Sequence, residues 1–263
     1  MATLVATSSD SLRPDLDDDH RLAARLADAA GRALVDLKER SGGHRFDMWS
    51  LRDRGDREAH VLLTEHLATH RPDDIVMSEE GTDDRRRLTA PRTWIIDPLD
   101  GTHDYPYEES IEWAVHVALV EGRRPPAAAV AVPGLGQTFT TDDVELADRT
   151  QRPEPLVICG RSNLYLGSEV AEALGGRVTA CGSSGVKTML VVSGAVDVYV
   201  HGSGLWEWDV CAPAAVAEAA GLVVTDIDGD EIVYNKPRPV VAGLVVSRPE
   251  FAEQARQVLD GLR

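Results

Sequence analysis

The sequence predicts an α+β protein in two parts that differ in how helices and strands follow one another. In residues 16–145, two helical patterns precede short apolar runs, and the brief connections between the later runs favour an antiparallel sheet. In residues 150–263, strands and helices alternate. The polar segment Asp142–Pro155, with two prolines, separates the parts. Residues 1–15 are polar, and we expect them to be loose.

The first part begins with two helices and continues as strands. One helix follows Asp17, Asp18 and Asp19, because negative charge stabilises a helix N-terminus, and it stops at Ser41-Gly42-Gly43. A second helix begins near Asp56. Apolar residues recur at helical spacing in both: Leu22, Leu26, Ala30, Ala33, Leu34 and Leu37, then Ala59, Leu62, Leu63 and Leu67. The predicted strands are Ile75–Met77, Trp94–Ile96, Trp113–Val120, Ala127–Val132 and Gln137–Thr140.

The second part alternates between the two kinds of element. Its predicted strands are Leu156–Cys159, Arg177–Ala180, Val196–Val200, Leu222–Thr225 and Val240–Ser247. Its predicted helices are Ser168–Leu174, Val186–Ser193, Asp209–Ala220 and Pro249–Leu262.

The composition narrows the class of partner. The 263 residues include 44 Asp and Glu against 27 Lys and Arg, for a formal charge of −17. This charge repels the phosphates of nucleic-acid polymers, so we expect no such partner. A small phosphorylated ligand remains compatible if metal cations lie between it and the protein.

The sequence also predicts where the protein works. Its longest apolar run, Ala127–Val132, is far below the about 18 residues that a membrane-spanning helix needs. Met1–Asp10 lacks the cationic start and apolar stretch of a signal peptide. Cys159, Cys181 and Cys211 are widely spaced, which disfavours a disulfide framework or a zinc cluster. We therefore expect a cytoplasmic protein without membrane association.

Acidic residues stand at the ends of predicted elements. The pair Glu79-Glu80 follows one strand, Asp97 and Asp100 follow another, and Asp209 begins a helix. The apolar strand would carry Asp97 toward the interior, where an unpaired carboxylate costs several kcal/mol. Mg²⁺ removes that cost, because it binds carboxylate and carbonyl oxygens. A turn of this spacing lets Asp97, Asp100 and the Leu99 carbonyl converge on one or two ions.

A phosphate group would fit next to these carboxylates. Gly101 allows the backbone to approach a phosphate closely, and Thr102 adds a hydroxyl. A helix that starts here would point free N–H groups at the phosphate. A lone pair of aspartates three residues apart is more often a simple turn, but the second acidic pair and the Gly-Thr sequence favour the metal site.

These segments resemble the signatures of a known family. Trp94–Thr102, with the core DPLDGT, is similar to the first signature of the inositol monophosphatase superfamily of Mg²⁺-dependent, lithium-sensitive phosphatases. Trp208–Ala215 resembles the second signature, Ser78-Glu79-Glu80 the acidic pair, and Gly55-Asp56 the upstream aspartate. The resemblance extends from about residue 20 to the C-terminus. It implies a layered αβαβα sandwich.

Within this superfamily the chain most resembles the CysQ-type 3′(2′),5′-bisphosphate nucleotidases, particularly their actinobacterial branch. The stretches Leu51–Arg57, Trp113–Leu119 and Tyr199–His201 support this. The resemblance implies hydrolysis of the 3′-phosphate of 3′-phosphoadenosine 5′-phosphate, a by-product of sulfur metabolism. Two alternatives remain: an inositol or sugar monophosphatase or fructose-1,6-bisphosphatase, and, in a different class, a non-catalytic sensor of phosphorylated ligands. A homodimer is compatible with the sequence.

The resemblance also implies roles for single residues. Glu79, Asp97 and the Leu99 carbonyl would hold one Mg²⁺, and Asp97, Asp100 and Asp209 a second; Glu79 would share a third, weaker ion. Asp56 with Thr102 would orient and deprotonate the attacking water, with Glu80 assisting. Gly101, Thr102 and Asp209 would contact the substrate.

The sequence departs from the family at three places. The segment before the upstream aspartate reads Asp53-Arg54-Gly55-Asp56, which leaves Asp53 as an alternative base. His103-Asp104-Tyr105 follows DPLDGT where many nucleotidases carry Glu-Phe, and Val200-His201 follows Tyr199 where many place an arginine. These departures concern the substrate more than the reaction.

Four further residues are candidates for binding the rest of the substrate. Ser183 and Lys187, at a Gly/Ser turn before a helix, could receive a second phosphate or a ribose, although a helix cap and a solvated lysine explain them equally well. Arg161 could meet a 5′-phosphate or form a surface ion pair. Glu207 precedes the second signature.

Two other features are given structural interpretations. His116, in the middle of a strand, is expected to be a hydrogen-bonded core histidine. The charged segment Asp83–Arg87 is expected to be a solvated, mobile loop near Glu79.

Overall fold

The computed structural model describes residues 19–41 and 48–262. The predicted loose segment 1–15 and the glycines of the predicted helix stop, Gly42 and Gly43, lie outside these residues. Within the described ranges there are six α-helices. They are α1 (Asp19–Arg40), α2 (Met48–His70), α3 (Leu164–Ala173), α4 (Ser184–Val192), α5 (Glu207–Ala219) and α6 (Pro249–Gly261). None of these helices combines the length and the apolar character that crossing a bilayer requires.

The first sheet has the predicted meander. Its strands are β1 (Ile75–Ser78), β2 (Arg92–Asp100), β3 (Ala114–Glu121), β4 (Arg124–Val132) and β5 (Gln137–Thr140), arranged in chain order. β1 is parallel to β2, and each later strand is antiparallel to its neighbour. Short connections such as the turn between Glu121 and Arg124 join antiparallel neighbours, whereas β1 reaches β2 through a longer crossing segment.

The second part contains seven shorter strands. They are β6 (Leu156–Cys159), β7 (Arg177–Ala180), β8 (Val198–His201), β9 (Leu205–Trp206), β10 (Val223–Thr225), β11 (Val240–Val241) and β12 (Leu244–Ser247). Five of them form a mixed sheet in the order β10-β12-β8-β6-β7. The other two, β9 and β11, pair with each other.

The predicted single strand Val240–Ser247 was wrong, because it is divided between two sheets. Val240 and Val241 pair with β9, whereas Leu244–Ser247 pair with β8. Between them, a Cβ on Gly243 would lie 2.4 Å from the carbonyl oxygen of His201. The glycine therefore permits a close passage of the two backbones where the chain changes sheet.

Alternating burial produces five layers. Along β2, Trp94 and Ile96 pack in the cluster with α1 and α2, while Ile95 packs in the cluster that contains α4 and α5. The second sheet packs on the other side of α4 and α5, and it is covered in turn by α3 and α6. Because successive side chains of a strand point to opposite faces, each sheet separates two helical layers. The order is helices, sheet, helices, sheet, helices, which agrees with the predicted αβαβα sandwich.

The middle helical layer belongs to both predicted parts. Its apolar cluster joins Ala128 and Val130 of β4 to Val210 and Ala214 of α5. The predicted boundary segment also contributes, since Leu146 packs against this cluster. The two halves therefore share one core.

The segment Asp83–Arg87 differs from its prediction as a solvated loop. Residues Arg85–Leu88 form a 3₁₀ helix, and the Arg87 side chain is fully buried. Its guanidinium donates hydrogen bonds to Asn235 Oδ1 at 2.8 Å and to the Lys236 carbonyl oxygen at 3.0 Å, and it pairs with Asp83. A run of charges suggested solvent exposure, but one arginine of the run ties the two halves together.

Candidate metal centre and active site

A cavity of about 700 Å³ collects most of the predicted site residues. It lies where β1 and β2 end, beside the N-terminus of α5 and one face of α2. Its lining residues are Arg52, Asp56, Glu79, Glu80, Asp97, Leu99, Asp100, Gly101, Thr102, His103, Asp104, Tyr107, Arg161, Gly182 and Asp209. Carboxylates dominate this lining, so the cavity suits cations and ligands that cations can bridge.

The parallel pairing of β1 with β2 brings two acidic segments together. Ser78 at the end of β1 is level with Ile96 of β2. Glu79 and Glu80 therefore emerge beside Asp97, because the carboxyl ends of parallel strands meet at one edge of a sheet.

An irregularity in β2 aims Asp97 and Asp100 at the same space. The sequence predicts a turn directly after Ile96, but the strand continues to Asp100 with a shift of register between the two aspartates. In a regular strand, residues three apart point to opposite faces, and a bulge removes this alternation. Carboxylate oxygens of Asp97, Asp100 and Asp209 lie within 4.8 Å of one another.

The buried carboxylates resist ionisation. Burial, reinforced by the charges of Asp100, Glu79 and Asp209, holds the pKa of Asp97 well above its usual range. Burial and neighbouring carboxylates raise the pKa of Glu79 to about 7, and burial together with Asp100 raises the pKa of Asp209 to about 7. Asp97 is fully buried, and its Oδ2 has no hydrogen-bond partner among the described residues. A cluster of this kind fits a divalent cation, which would supply the missing partner.

Asp100 behaves in the opposite way. Burial alone would raise its pKa, but His116, Lys187 and Ser183 outweigh burial and lower the pKa to about 2. The backbone N–H groups of Ser184 and Gly185 donate to Asp100 at 3.2 and 2.7 Å, and the Ser183 hydroxyl donates to it as well. The N-terminus of α4 therefore fixes Asp100 as an ionised carboxylate.

His116 is the core histidine that the sequence predicts, and it also contacts the cluster. Its Nδ1 lies 3.0 Å from the carbonyl oxygen of Trp208, and its Nε2 lies 3.2 Å from Asp100 Oδ2. Its position on β3 opposite Asp97 is the signal that would have placed it at the site.

The structure answers which aspartate of α2 faces the cavity. Asp56 is 9% exposed and lines the cavity, whereas Asp53 is exposed and does not. The helix approaches closely here, because a Cβ on Gly55 would lie 2.9 Å from the Tyr105 ring. Burial and the charge of Glu80 raise the pKa of Asp56 to about 7. Asp56 also interacts with the hydroxyl of Thr102, which donates to the Leu99 carbonyl oxygen at 2.8 Å.

Gly101 begins a series of turns, and not a helix whose free N–H groups would face a phosphate. Its φ is +86°, and a Cβ would lie 2.3 Å from the Glu112 carbonyl oxygen. The Gly101 carbonyl oxygen accepts hydrogen bonds from the N–H groups of Asp104 and Tyr105. Only glycine fits this left-handed and crowded position.

Two of the predicted substrate residues, Lys187 and Ser183, use their hydrogen-bond donors within the protein. Lys187 is 2% exposed, and its ammonium donates to the carbonyl oxygens of Cys181, Gly182 and Ser183, at 3.2, 2.8 and 2.7 Å. With its donors used, it is not placed to bind a phosphate. Ser183 donates to Asp100, and the charge of Lys187 helps to lower the pKa of that carboxyl, so both residues support Asp100 instead of facing a ligand.

Glu207 and Arg161 differ in their access to the cavity. The Glu207 carboxylate is fully buried and accepts hydrogen bonds from the N–H groups of Asn235 and Lys236, so it does not face a substrate. Arg161 does line the cavity, where it pairs with Asp104 and Glu112 at 3.2 and 2.6 Å.

The sequence reasoning missed several lining residues. Arg52, His103, Asp104 and Tyr107 lie in the cavity but were not candidates. Arg52 precedes Asp56 by four residues, and helical spacing alone places both on one face of α2.

Comparison with known proteins agrees with this geometry. Residues 50–260 match the inositol monophosphatase family. A 3′-phosphoadenosine 5′-phosphate phosphatase of Mycobacterium leprae is 40% identical over 248 residues, covering 89% of this chain and 90% of that protein. The 3′(2′),5′-bisphosphate nucleotidase CysQ of Escherichia coli K12 is 30% identical over 231 residues, covering 80% and 92%.

The fold has solved counterparts as well. The structure of an IMPase from Thermotoga maritima superposes with a TM-score of 0.73 at 21% identity, covering 92% of this chain and 96% of that one. The five layers, the acidic cavity and the matched sequence lead to one assignment. The chain belongs to the inositol monophosphatase family.

Proposed function

We propose that this protein is a Mg²⁺-dependent phosphomonoesterase that converts 3′-phosphoadenosine 5′-phosphate into AMP and inorganic phosphate. The observation that carries the reaction class concerns the fully buried Asp97, which lies beside Asp100 and Asp209. Its Oδ2 has no hydrogen-bond partner in residues 19–41 and 48–262. The relatives named for this substrate, at 38–40% identity over most of the chain, support the choice of ligand.

The carboxylates divide the metal sites between them. Glu79, Asp97 and the Leu99 carbonyl oxygen would hold one Mg²⁺, and Asp97, Asp100 and Asp209 a second. Glu79 would share a third, weaker ion. When bound, the ions neutralise phosphoryl oxygens, acidify water and stabilise the leaving alkoxide.

Asp56 and Thr102 would prepare the attacking water. In the protein without ions, burial and the charge of Glu80 raise the pKa of Asp56 to about 7, and this carboxylate would accept the water proton as a general base. Thr102, tied to Leu99, would hold the water in line with the phosphorus atom. Glu80 would contribute through its charge, which helps to raise the pKa of Asp56.

The bond changes balance without a covalent enzyme intermediate. The water oxygen forms a bond to phosphorus, the bond from phosphorus to the ribose 3′-oxygen breaks, and the water proton passes to Asp56. The leaving 3′-oxygen then takes a proton from solvent. Gly101 N–H and Thr102 would contact the phosphate, and Asp209 would lie on the leaving-group side.

Two further aspects of the proposal concern the cellular compartment and the oligomeric state. The free thiols of Cys159, Cys181 and Cys211 suit the reducing cytoplasm. A homodimer stays a prediction of the sequence.

A substrate panel tests the proposal. We expect Mg²⁺-dependent phosphate release from 3′-phosphoadenosine 5′-phosphate with a kcat/KM at least tenfold above that for inositol 1-phosphate and fructose 1,6-bisphosphate. A higher kcat/KM for inositol 1-phosphate or fructose 1,6-bisphosphate would show that the proposed substrate is wrong and that the proposed reaction class is right. Binding of the nucleotide with no release from any compound would indicate a sensor and refute the proposal.

A further inference from the structure

The carboxylates of the cavity differ in what fixes their positions. A backbone N–H donates to Asp97 at 3.0 Å, another donates to Asp209 at 3.0 Å, and the N-terminus of α4 holds Asp100. By contrast, neither Glu79 nor Glu80 takes part in a hydrogen bond or an ion pair within the described part of the chain. The positions of these two glutamates therefore depend on the backbone turn that carries them.

One side chain of α2 anchors this turn. The acidic turn, residues Ser78–Gly81, closes with a hydrogen bond from the Gly81 N–H to the Ser78 carbonyl oxygen at 3.1 Å. Nδ1 of His60 lies 2.9 Å from the hydroxyl oxygen of Ser78. A Cβ on Gly81 would lie 3.5 Å from Cε1 of His60, so the imidazole ring also contacts the far end of the turn. His60 thus contacts both residues that flank the glutamates.

The hydrogen bond between His60 and Ser78 is shielded from water. Ser78 is buried, His60 is half-buried, and the Ser78 hydroxyl has no other side-chain or backbone partner among residues 19–41 and 48–262. Burial lowers the pKa of His60 and outweighs the charge of Glu80, which raises it. A neutral imidazole can donate or accept, and so can a hydroxyl, so the bond forms with either ring tautomer. Losing it would leave a buried hydroxyl without a partner, which is costly.

The same histidine is aligned with the base. Asp56 and His60 are four residues apart on α2, so they lie on one face of the helix. Asp56 lines the cavity, where we place it beside the attacking water. One side chain therefore connects the helix that carries the base with the turn that carries Glu79 and Glu80. Positioned groups tolerate little displacement, since a shift of about 1 Å can cost about a hundredfold in rate.

We propose that His60 is a positioning residue, whose hydrogen bond to Ser78 holds the acidic turn against α2 so that both glutamates reach the cavity beside Asp56. This inference rests on the proposed function, because Glu79 is assigned there as a metal ligand. His60 itself contacts neither ion nor substrate in this role and acts only through the turn.

The test measures Mg²⁺ binding by calorimetry without substrate, at pH 8, where His60 is neutral. His60→Leu keeps most of the bulk of the side chain and removes its polar atoms. Ser78→Ala removes the same hydrogen bond from the other side and deletes a single oxygen atom. Each variant should raise the apparent Kd for Mg²⁺ about three- to tenfold. This is the lower end of the usual effect of a group that supports a metal ligand, because His60 acts through the backbone.

A double-mutant cycle shows whether the two variants report one contact. The double variant should raise the Kd no more than twofold beyond the larger single effect, because one hydrogen bond can be lost only once. His60→Asn keeps a polar atom near the position of Nδ1 and should return the Kd to within twofold of the parent. His66→Leu makes the matched change on α2 at a ring that stacks on His70, and its Kd should equal that of the parent.

The binding data can overturn the proposal in two ways. If both single variants keep a Kd within twofold of the parent, His60 does not position the turn for metal binding. A lower Tm with such an unchanged Kd would identify a purely structural contact. If the two single effects multiply in the double variant, His60 and Ser78 act independently, and the proposed bond is not the cause.

Turnover distinguishes this inference from the proposed function. At saturating Mg²⁺, kcat of His60→Leu should fall about three- to tenfold while KM stays within twofold, because the turn is displaced relative to Asp56 and the substrate contacts remain. If the parent binds Mg²⁺ but releases phosphate from no compound, the proposed function fails, and the calorimetric cycle still decides on His60. A parent that binds no Mg²⁺ would refute both.

Discussion

Asp97 and Asp100 are three residues apart on one strand, yet their pKa values shift in opposite directions. Asp97 faces other carboxylates and lacks a donor among the described residues for Oδ2. Asp100 faces the N-terminus of α4 and His116. Two side chains of the same type therefore differ in their electrostatic state. Asp97 needs a cation as its partner, whereas Asp100 is held as an anion by its hydrogen-bond donors.

The first prediction distinguishes the two aspartates of α2. Asp56→Asn should lower kcat by about 10²–10⁴, the usual contribution of a general base, because it removes the proton acceptor from the cavity. Asp53→Asn makes the same chemical change on the exposed face and should keep kcat within threefold of the parent. Steady-state kinetics at saturating Mg²⁺ gives both numbers. A severe loss in Asp53→Asn with a mild one in Asp56→Asn would contradict the placement of the base.

The second prediction concerns pH and metal. Asp56, Glu79 and Asp209 have pKa values of about 7 in the folded protein, above those of an unfolded chain. Their contribution to stability is therefore fully present at low pH and is lost as pH rises through about 7. Mg²⁺ competes with these protons and relieves the repulsion that remains at high pH. The rise in Tm on adding Mg²⁺ should be larger at pH 8 than at pH 5.5.

Differential scanning fluorimetry at the two pH values measures this increment, with NaCl of equal ionic strength as the control. Equal increments at both pH values would show that the bound ions do not replace protons on this cluster.

At the residue scale, sequence patterns identified the roles of the acidic side chains better than those of the basic side chains. The DPLDGT segment sets the spacing and the residue type of two carboxylates, and both line the cavity. Lys187 looked like a phosphate ligand because an ammonium beside a Gly/Ser turn suggests one. Its three acceptors are carbonyl oxygens of that same turn, and a pattern of letters does not show which donors the backbone has already used.

At the scale of elements, close packing of α2 sets the position of Asp56. Gly55 faces Leu99, Leu34 and the ring of Tyr105, whose hydroxyl donates to the Leu34 carbonyl oxygen at 2.7 Å. A side chain at position 55 would push the helix, and Asp56 with it, away from the cavity. The glycine therefore links packing to function.

The third prediction uses this contact. Gly55→Ala should lower the free energy of unfolding by about 1–2 kcal/mol, because overpacking against the pinned Tyr105 ring exceeds the gain in helix propensity. Gly261→Ala, also at a helical glycine but with no atom within 4 Å of the added Cβ, should be neutral or slightly stabilising. Urea denaturation measures both. A stabilised Gly55→Ala would show that α2 can move without cost.

Most elements were predicted where local pattern decides, although the predicted start of the second helix near Asp56 was wrong, since α2 begins at Met48. Elements were predicted poorly where distant backbone decides. The meander β2–β5 follows from apolar runs and short turns. The shift of register in β2 and the pairing of β9 with β11 depend on which strands lie next to each other in the fold. Segments of two or three residues are too short for their apolar periodicity to predict that pairing.

At the scale of the whole molecule, one helical layer joins the two predicted halves. α4 and α5 pack against both sheets, and the buried Arg87 of the first half is bound by Asn235 and Lys236 of the second. The sequence shows the change from consecutive strands to alternating strands and helices. Nothing in the sequence of either half alone shows that the helical layer is shared. If one half unfolded alone, the other half would expose its side of this layer to water.

The fourth prediction follows from the shared core. Without metal, calorimetry should show one unfolding transition whose calorimetric and van't Hoff enthalpies agree, because neither half can lose the common cluster independently. Two resolved transitions would instead indicate that the halves unfold as separate units.

The central claim is that Asp97 bridges the metal ions on which hydrolysis depends. Its direct test is Mg²⁺-dependent phosphate release from 3′-phosphoadenosine 5′-phosphate by Asp97→Asn at saturating Mg²⁺, with circular dichroism to confirm the fold. The account predicts a folded protein whose turnover is abolished, since the amide removes one negative charge from the fully buried position that the proposed ions would share. Turnover within tenfold of the parent would contradict the bridging role.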